Sequence, residues 1–90
     1  METGLRKIDV RFFASLREAL GTGQELLILP AQVLTAGDAR AYLRQRGGAW
    51  ADALAEGRAV RIAYNQEMTD AGKLLEDGGE LAFFPPVTGG

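Results

Sequence analysis

The sequence predicts an α+β domain in which a mixed sheet packs on one main helix. Three observations point there. Apolar residues recur at every second position near both ends of the chain, in RKIDVRFF (6–13), AVRIAY (59–64) and ELAFF (80–84), which is the period of half-buried strands. One strong helical pattern opens at Thr35, between them. Ninety residues suffice for one hydrophobic core but not two, so strands and helix must share it.

The elements follow in chain order. In the first strand Ile8, Val10 and Phe12 share one face, and Asp9, Arg11 and Phe13 share the other. SLREALG places Ser15 and Glu18 at capping-box spacing and Gly21 at a stop, which predicts a short helix. ELLIL (25–29) is a continuous apolar run closed by Pro30, the pattern of a buried strand. Thr35 is placed to cap the main helix, with Asp38 favourable to its first-turn dipole. Ala36, Ala39 and Leu43 recur at helical spacing with Tyr42 beside them, and Gly47-Gly48 is expected to close the helix. Arg40 and Arg44 fall four apart, on its expected solvated side. Trp50 and Leu54 are spaced to pin one further turn to the core.

Asn65-Gln66 reads as a turn into a short polar strand, and Glu76-Asp77-Gly78-Gly79 as the turn before the last strand. The expected organisation is one domain over 1–90, with a leader at 1–6 and an extended tail at 85–90. A β-grasp arrangement satisfies this order: the first and last strands lie parallel at the centre and the main helix crosses one face.

Composition narrows the function. Ten basic and twelve acidic residues give a net charge of −2, without the basic excess of a nucleic-acid footprint. The chain has no cysteine and no histidine. That removes disulfides, thiolate chemistry, Cys/His zinc sites and Ser-His or Cys-His pairs, and no metal site is expected. No apolar run approaches the roughly 18–20 residues of a membrane span, and the start lacks a signal-peptide pattern, so a cytoplasmic protein is expected. The carboxylates fall in caps, turns and helix surfaces, and no glycine-rich phosphate loop follows a strand. The chain is not expected to be an enzyme by itself, and no bound cofactor is expected.

The end of the chain, LAFFPPVTGG, carries the chemistry. Pro85-Pro86 fixes two successive φ angles and directs the backbone out of the sheet in an extended form. Val87, Thr88, Gly89 and Gly90 follow, reaching at most roughly 13–14 Å. Two residues without Cβ can thread a slot too narrow for any other, delivering the α-carboxylate of Gly90. That carboxylate is a poor electrophile, whereas an acyl-adenylate at the same carbon is a good one.

AFFPPVTGG, LEDGGELAFF, AYNQE and VRFFASLREALG resemble the small subunit of molybdopterin synthase, the MoaD family of sulfur carriers, from about Lys7 to Gly90. The sequence departs from the family tendency at Ala39, where a larger apolar residue is usual, and at Gly79, where an acid is frequent. The resemblance implies a ubiquitin-like β-grasp fold and a cycle. An E1-like activating enzyme adenylates Gly90 with MgATP and a sulfur donor converts it to a thiocarboxylate. The tail then inserts into the large subunit, where sulfur passes to a cyclic pyranopterin and builds the dithiolene. A heterotetramer, two of these chains on a dimer of the large subunit, is implied. A carrier for thiamine or another thio-compound, and a ubiquitin-related protein modifier, share the fold and the Gly-Gly end.

Strand parity adds a partner surface. With Ile8, Val10 and Phe12 inward, Arg11 and Phe13 face outward; Leu81 and Phe83 inward put Phe84 outside, next to Phe13. Arg61 is outward on its own strand, and Arg17 at the end of the same sheet is a candidate either for the rim or for simple solvation of its helix. Exposed aromatics with arginines are the composition of an interface hot spot. The charge around this face predicts a monomer for the chain alone.

Overall fold

The computed structural model describes residues 5–86. Its elements are β1 (Arg6–Phe12), α1 (Ala14–Leu20), β2 (Gln24–Leu29), α2 (Ala36–Arg44), α3 (Gly48–Ala53), β3 (Arg61–Tyr64), β4 (Glu67–Thr69) and β5 (Glu80–Phe84). They form one mixed sheet in the order β2-β1-β5-β3-β4. The central pair, β1 and β5, is parallel, with Val10 opposite Leu81 and Phe12 opposite Phe83. This is the β-grasp order read from the sequence. None of the described helices is long and apolar enough to cross a membrane.

The core follows from alternation. Ile8, Val10, Leu29, Leu81 and Phe83 are fully buried, and Ala36, Ala39 and Leu43 of α2 meet them with no accessible surface. Ala36 and Ala39 are fully buried, so a larger side chain at Ala39 would have to displace packed neighbours. Phe12 stacks on Phe83 at 6.0 Å and meets the edge of Trp50 at 5.4 Å. Trp50 is in turn covered by the Arg46 guanidinium, 4.4 Å from its ring centre. So α3, too short to persist alone, is held by an aromatic contact and by Leu54, which is fully buried.

Four expectations are corrected. Arg6 does not belong to the leader: it opens β1 and donates to the carbonyls of Pro30, Val33 and Leu75 at 3.0, 2.6 and 3.3 Å. Ser15 does not cap α1. Ala14 takes a left-handed φ of 52°, and the helix starts two residues earlier than expected, with Phe13 as N-cap and no side-chain cap bond. α2 ends at Arg44 with Gln45 as C-cap, and Gly47 (φ 77°) instead opens α3. Arg40 is half-buried and not solvated. It donates to the carbonyls of Leu54, Ala55 and Arg58 at 2.9, 2.6 and 2.9 Å, tying α2 to the segment that follows α3. Burial lowers its pKa, as does the neighbouring charge of Arg44, against the opposing pull of Glu56.

Thr35 does cap α2. Its hydroxyl accepts from the Asp38 N–H at 3.1 Å, and Asp38 accepts from the N–H groups of Leu34 and Thr35 at 3.0 and 3.1 Å. Those backbone bonds, first Leu34 and then Thr35, hold the Asp38 pKa below its ordinary value. A carboxylate with a lowered folded pKa contributes stability that is present above its unfolded pKa and lost as pH falls through the folded one. Melting temperature is therefore expected to fall below about pH 4, and Asp38→Asn should flatten that part of the profile. A pH-melting series of both proteins checks it; identical acid limbs would remove Asp38 as a cause.

The Gly79 departure also has a physical reason. Tyr64 is buried, and its hydroxyl accepts from the Glu76 N–H at 2.8 Å and donates to the Glu76 carbonyl at 3.2 Å, bracing the turn before β5. A Cβ on Gly79 would lie 2.0 Å from that hydroxyl oxygen and 2.5 Å from the ring carbon bearing it. Gly79→Ala is expected to cost about 1–3 kcal/mol through overpacking, and Tyr64→Phe about 1 kcal/mol through loss of the part-buried bonds to Glu76. The double variant should lose less than the sum, because Phe removes the atom that clashes most. Thermal melts of the three variants check this; strict additivity would mean the two residues do not meet.

Candidate docking face

The helices cover one face of the sheet, and the candidate site lies on the other. Phe13 continues β1 in extended conformation, its N–H donating to the Phe83 carbonyl at 3.2 Å. Its ring therefore falls beside Phe84, which follows Phe83 with opposite parity. The two rings stack, centres 4.9 Å apart and 9° from parallel. Phe13 is 38% exposed, while Phe84 is only half-exposed because the stacking covers it.

Across the sheet Phe84 pairs with Arg61, and Ala82 with Ala63. Ala63 pairs in turn with Met68, which is 56% exposed. Two buried alanines thus sit low between larger neighbours. The result is an open apolar groove lined by Phe13, Ala14, Arg61, Met68, Phe84, Pro85 and Pro86.

Sequence reasoning missed Met68, although a signal was present. Asn65 and Gln66 both take positive φ, 51° and 69°, making a tight two-residue hairpin. Parity carried across that turn puts Met68 opposite Ala63, on the outer face.

The other predicted rim residues divide. Arg11 lies on the outer face, but Asp9 holds it: Nε and Nη2 donate to one carboxylate oxygen at 3.2 and 2.9 Å, and the Gln24 amide donates to the other at 3.0 Å. The hydrogen bond to Asp9 and then its charge raise the Arg11 pKa, with Glu80 adding to the effect. Arg17 does not line the groove. It is exposed beyond Phe13, against Gly23, bordering a separate depression with Arg11, Phe13 and Gln24. Helix α1 turns it toward the loop before β2. Of the tail, Pro85 and Pro86 line the groove, whereas Val87, Thr88, Gly89 and Gly90 lie outside the described residues.

A mixed sheet of this order, with its first and last strands parallel at the centre and helices on one face, is the ubiquitin-like β-grasp fold. The ThiS family model matches residues 10–90. The molybdopterin synthase sulfur carrier subunits of Haemophilus influenzae and Escherichia coli are each 40% identical over 83 residues, spanning 92% of this chain and 99% of theirs. The chain belongs to the ThiS family, in its molybdopterin synthase sulfur carrier (MoaD) group.

Among solved structures, the Haloferax volcanii HVO 2177 protein superposes with a TM-score of 0.80 at 28% identity, covering 100% of this chain and 92% of that one. A chain of the Helicobacter pylori complex of subunits 1 and 2 of the molybdopterin-converting factor matches with a TM-score of 0.60 at 28% identity, covering 93% of this chain and 99% of that one. A ubiquitin from Caldiarchaeum subterraneum, at 17% identity and a TM-score of 0.55 over 97% and 100%, shares the fold.

Proposed function

We propose that this chain is the sulfur carrier subunit of a molybdopterin synthase, with Gly90 as the carrier group and the groove at Phe13 and Phe84 as the seat of its protein partners. The observation that carries this reading is continuity. Strand β5 runs through Phe84 into Pro85 and Pro86, and those prolines line the same groove as the aromatic pair. A partner that grips the groove therefore grips the base of the tail as well.

The carrier chemistry acts at one carbon. An E1-like enzyme supplies MgATP, and a Gly90 carboxylate oxygen attacks the α-phosphorus, releasing pyrophosphate. Hydrosulfide supplied by the sulfur donor then attacks the acyl carbon and displaces AMP, leaving a thiocarboxylate and a proton. In the synthase, insertion of Val87, Thr88, Gly89 and Gly90 into the large subunit presents that sulfur to the cyclic pyranopterin. The chain supplies reach, a narrow end and a docking face; the activating and transferring chemistry belongs to its partners. MgATP is consumed by the activating enzyme and is not held by this chain. The setting is the cytoplasm, the assembly a heterotetramer of two carriers on a dimer of the large subunit.

Intact mass of the protein from its own cells tests the reading. A species heavier by the difference between sulfur and oxygen is expected, and it should revert on incubation with the large subunit and pterin precursor. Only isopeptide-linked conjugates would replace the carrier reading with that of a protein modifier. Sulfur loss to a thiamine precursor, with none to the pterin, would move it to the sister pathway.

A further inference from the structure

The strand expected to be buried, β2, is instead the long edge of the sheet. Only Leu27 and Leu29 enter the core, whereas Leu26 is 66% and Ile28 51% exposed on the outer face. The reason is that the helices cover just one face, so a continuous apolar run leaves every second residue outside.

The backbone follows the same alternation. The Phe12 N–H donates to the Gly23 carbonyl at 3.0 Å, which makes 12 and 23 a directly bonded pair. Two residues on in each antiparallel strand, Val10 and Glu25, Ile8 and Leu27, and Arg6 and Leu29 are bonded pairs too. The Asp9 N–H, pointing the other way to the Gly79 carbonyl at 2.9 Å, agrees. Gln24, Leu26 and Ile28 therefore direct their N–H and C=O groups off the edge. Thr22 engages those of Gln24, its hydroxyl donating to the Gln24 carbonyl at 3.1 Å and accepting from its N–H at 3.4 Å. The groups of Leu26 and Ile28 have no partner among the described residues. Two residues thus present bare aliphatic side chains and bare backbone groups together.

We infer that β2 pairs antiparallel with β2 of a second copy of this chain, about a two-fold axis at Leu27. Three registers bring unpaired edge groups together, with the axis at Leu26, Leu27 or Ile28. Only the Leu27 register sets Leu26 against Ile28 of the copy at both ends, so that all four N–H groups meet all four carbonyls. Their side chains then join into one four-residue aliphatic cluster on the outer face. Charge does not oppose the contact. Glu25 is the only ionised residue of β2, it falls opposite Leu29 of the copy, and Arg46 already engages it through both guanidinium nitrogens. The strand has no lysine or proline of the kind that guards exposed edges.

Size sets the strength. Two strands of six residues, each roughly 20 Å long, bury less than the roughly 1,200–2,000 Å² of a stable complex. The dimer is weak, with a Kd between roughly 1 μM and 1 mM, and this replaces the monomer expected from the sequence. The groove at Phe84 lies on the far side of β1, so both copies keep it open.

Sedimentation equilibrium over a concentration series, with amide chemical shifts of the same samples, tests the proposal. A monomer–dimer equilibrium is expected, with concentration-dependent shifts at Leu26 and Ile28. Leu26→Lys and Ile28→Lys, both at exposed positions, should weaken it at least tenfold while their circular dichroism and melting stay near those of the parent. Phe84→Asp should leave it intact. A chain that stays monomeric at millimolar concentration overturns the proposal. So does a dimer that Phe84→Asp abolishes and Leu26→Lys spares, or shifts confined to the β4 edge.

Discussion

Removing Gly90 is expected to abolish sulfur transfer while leaving the melting curve in place. Deletion draws the terminal carboxylate back by up to roughly 3.5 Å. Acyl activation tolerates little of that, since a misplacement near 1 Å already costs about a hundredfold. Gly89→Leu should have the same outcome by a different route, keeping the reach but adding a side chain where the carrier reading requires a narrow end. Stability should not follow activity, because the core closes at Phe83, which is fully buried, and Pro86 is already exposed. A thiocarboxylate-transfer assay beside a thermal melt of both variants decides it. Activity retained without Gly90 would remove the carrier mechanism. A large drop in melting temperature would give the tail a structural role.

The fold was legible because two periods in the sequence do not overlap. Alternation at Ile8, Val10 and Phe12, and again at Leu81 and Phe83, fixed which residues turn inward, and the 3.6-residue recurrence of Ala36, Ala39 and Leu43 fixed the face that meets them. Thr35 and Asp38 announced their helix through local chemistry that needs no tertiary context. What failed was whatever depends on neighbours in space. ELLIL looks the same in a sheet covered on both faces as at the edge of one covered on a single face. Arg40 reads as a surface cation until the carbonyls at the end of α3 arrive beside it, fourteen residues or more along the chain. Of the candidate site, parity brought Phe13, Phe84 and Arg61 to one place. Arg17 had two readings, rim or solvated helix surface, and it is exposed on α1 outside the groove, a choice that no spacing rule decides.

Phe84→Asp is expected to weaken binding of the large subunit by about 2–4 kcal/mol, or roughly 30- to 1,000-fold in Kd, the range of an aromatic anchor in a desolvated pocket. The ring lines the groove, stacked on Phe13, with its residue paired across the sheet with Arg61 and next in sequence to the proline brace. A carboxylate there would have to shed its water against apolar walls, which adds a penalty to the lost contact. The free protein pays something too. Because the rings stack, the substitution also removes an aromatic pair worth about 0.5–1.5 kcal/mol, so a modest fall in melting temperature accompanies the effect. Two comparisons separate binding from folding. Phe84→Leu keeps an apolar side chain and should retain most of the affinity, and Leu26→Lys, on the far edge of the sheet, should retain all of it. Calorimetric titration of each folded variant into the large subunit makes the measurement. If Phe84→Asp bound like the parent, the groove would not be the docking face; if Leu26→Lys were the damaging change, the partner would sit on the β2 edge instead.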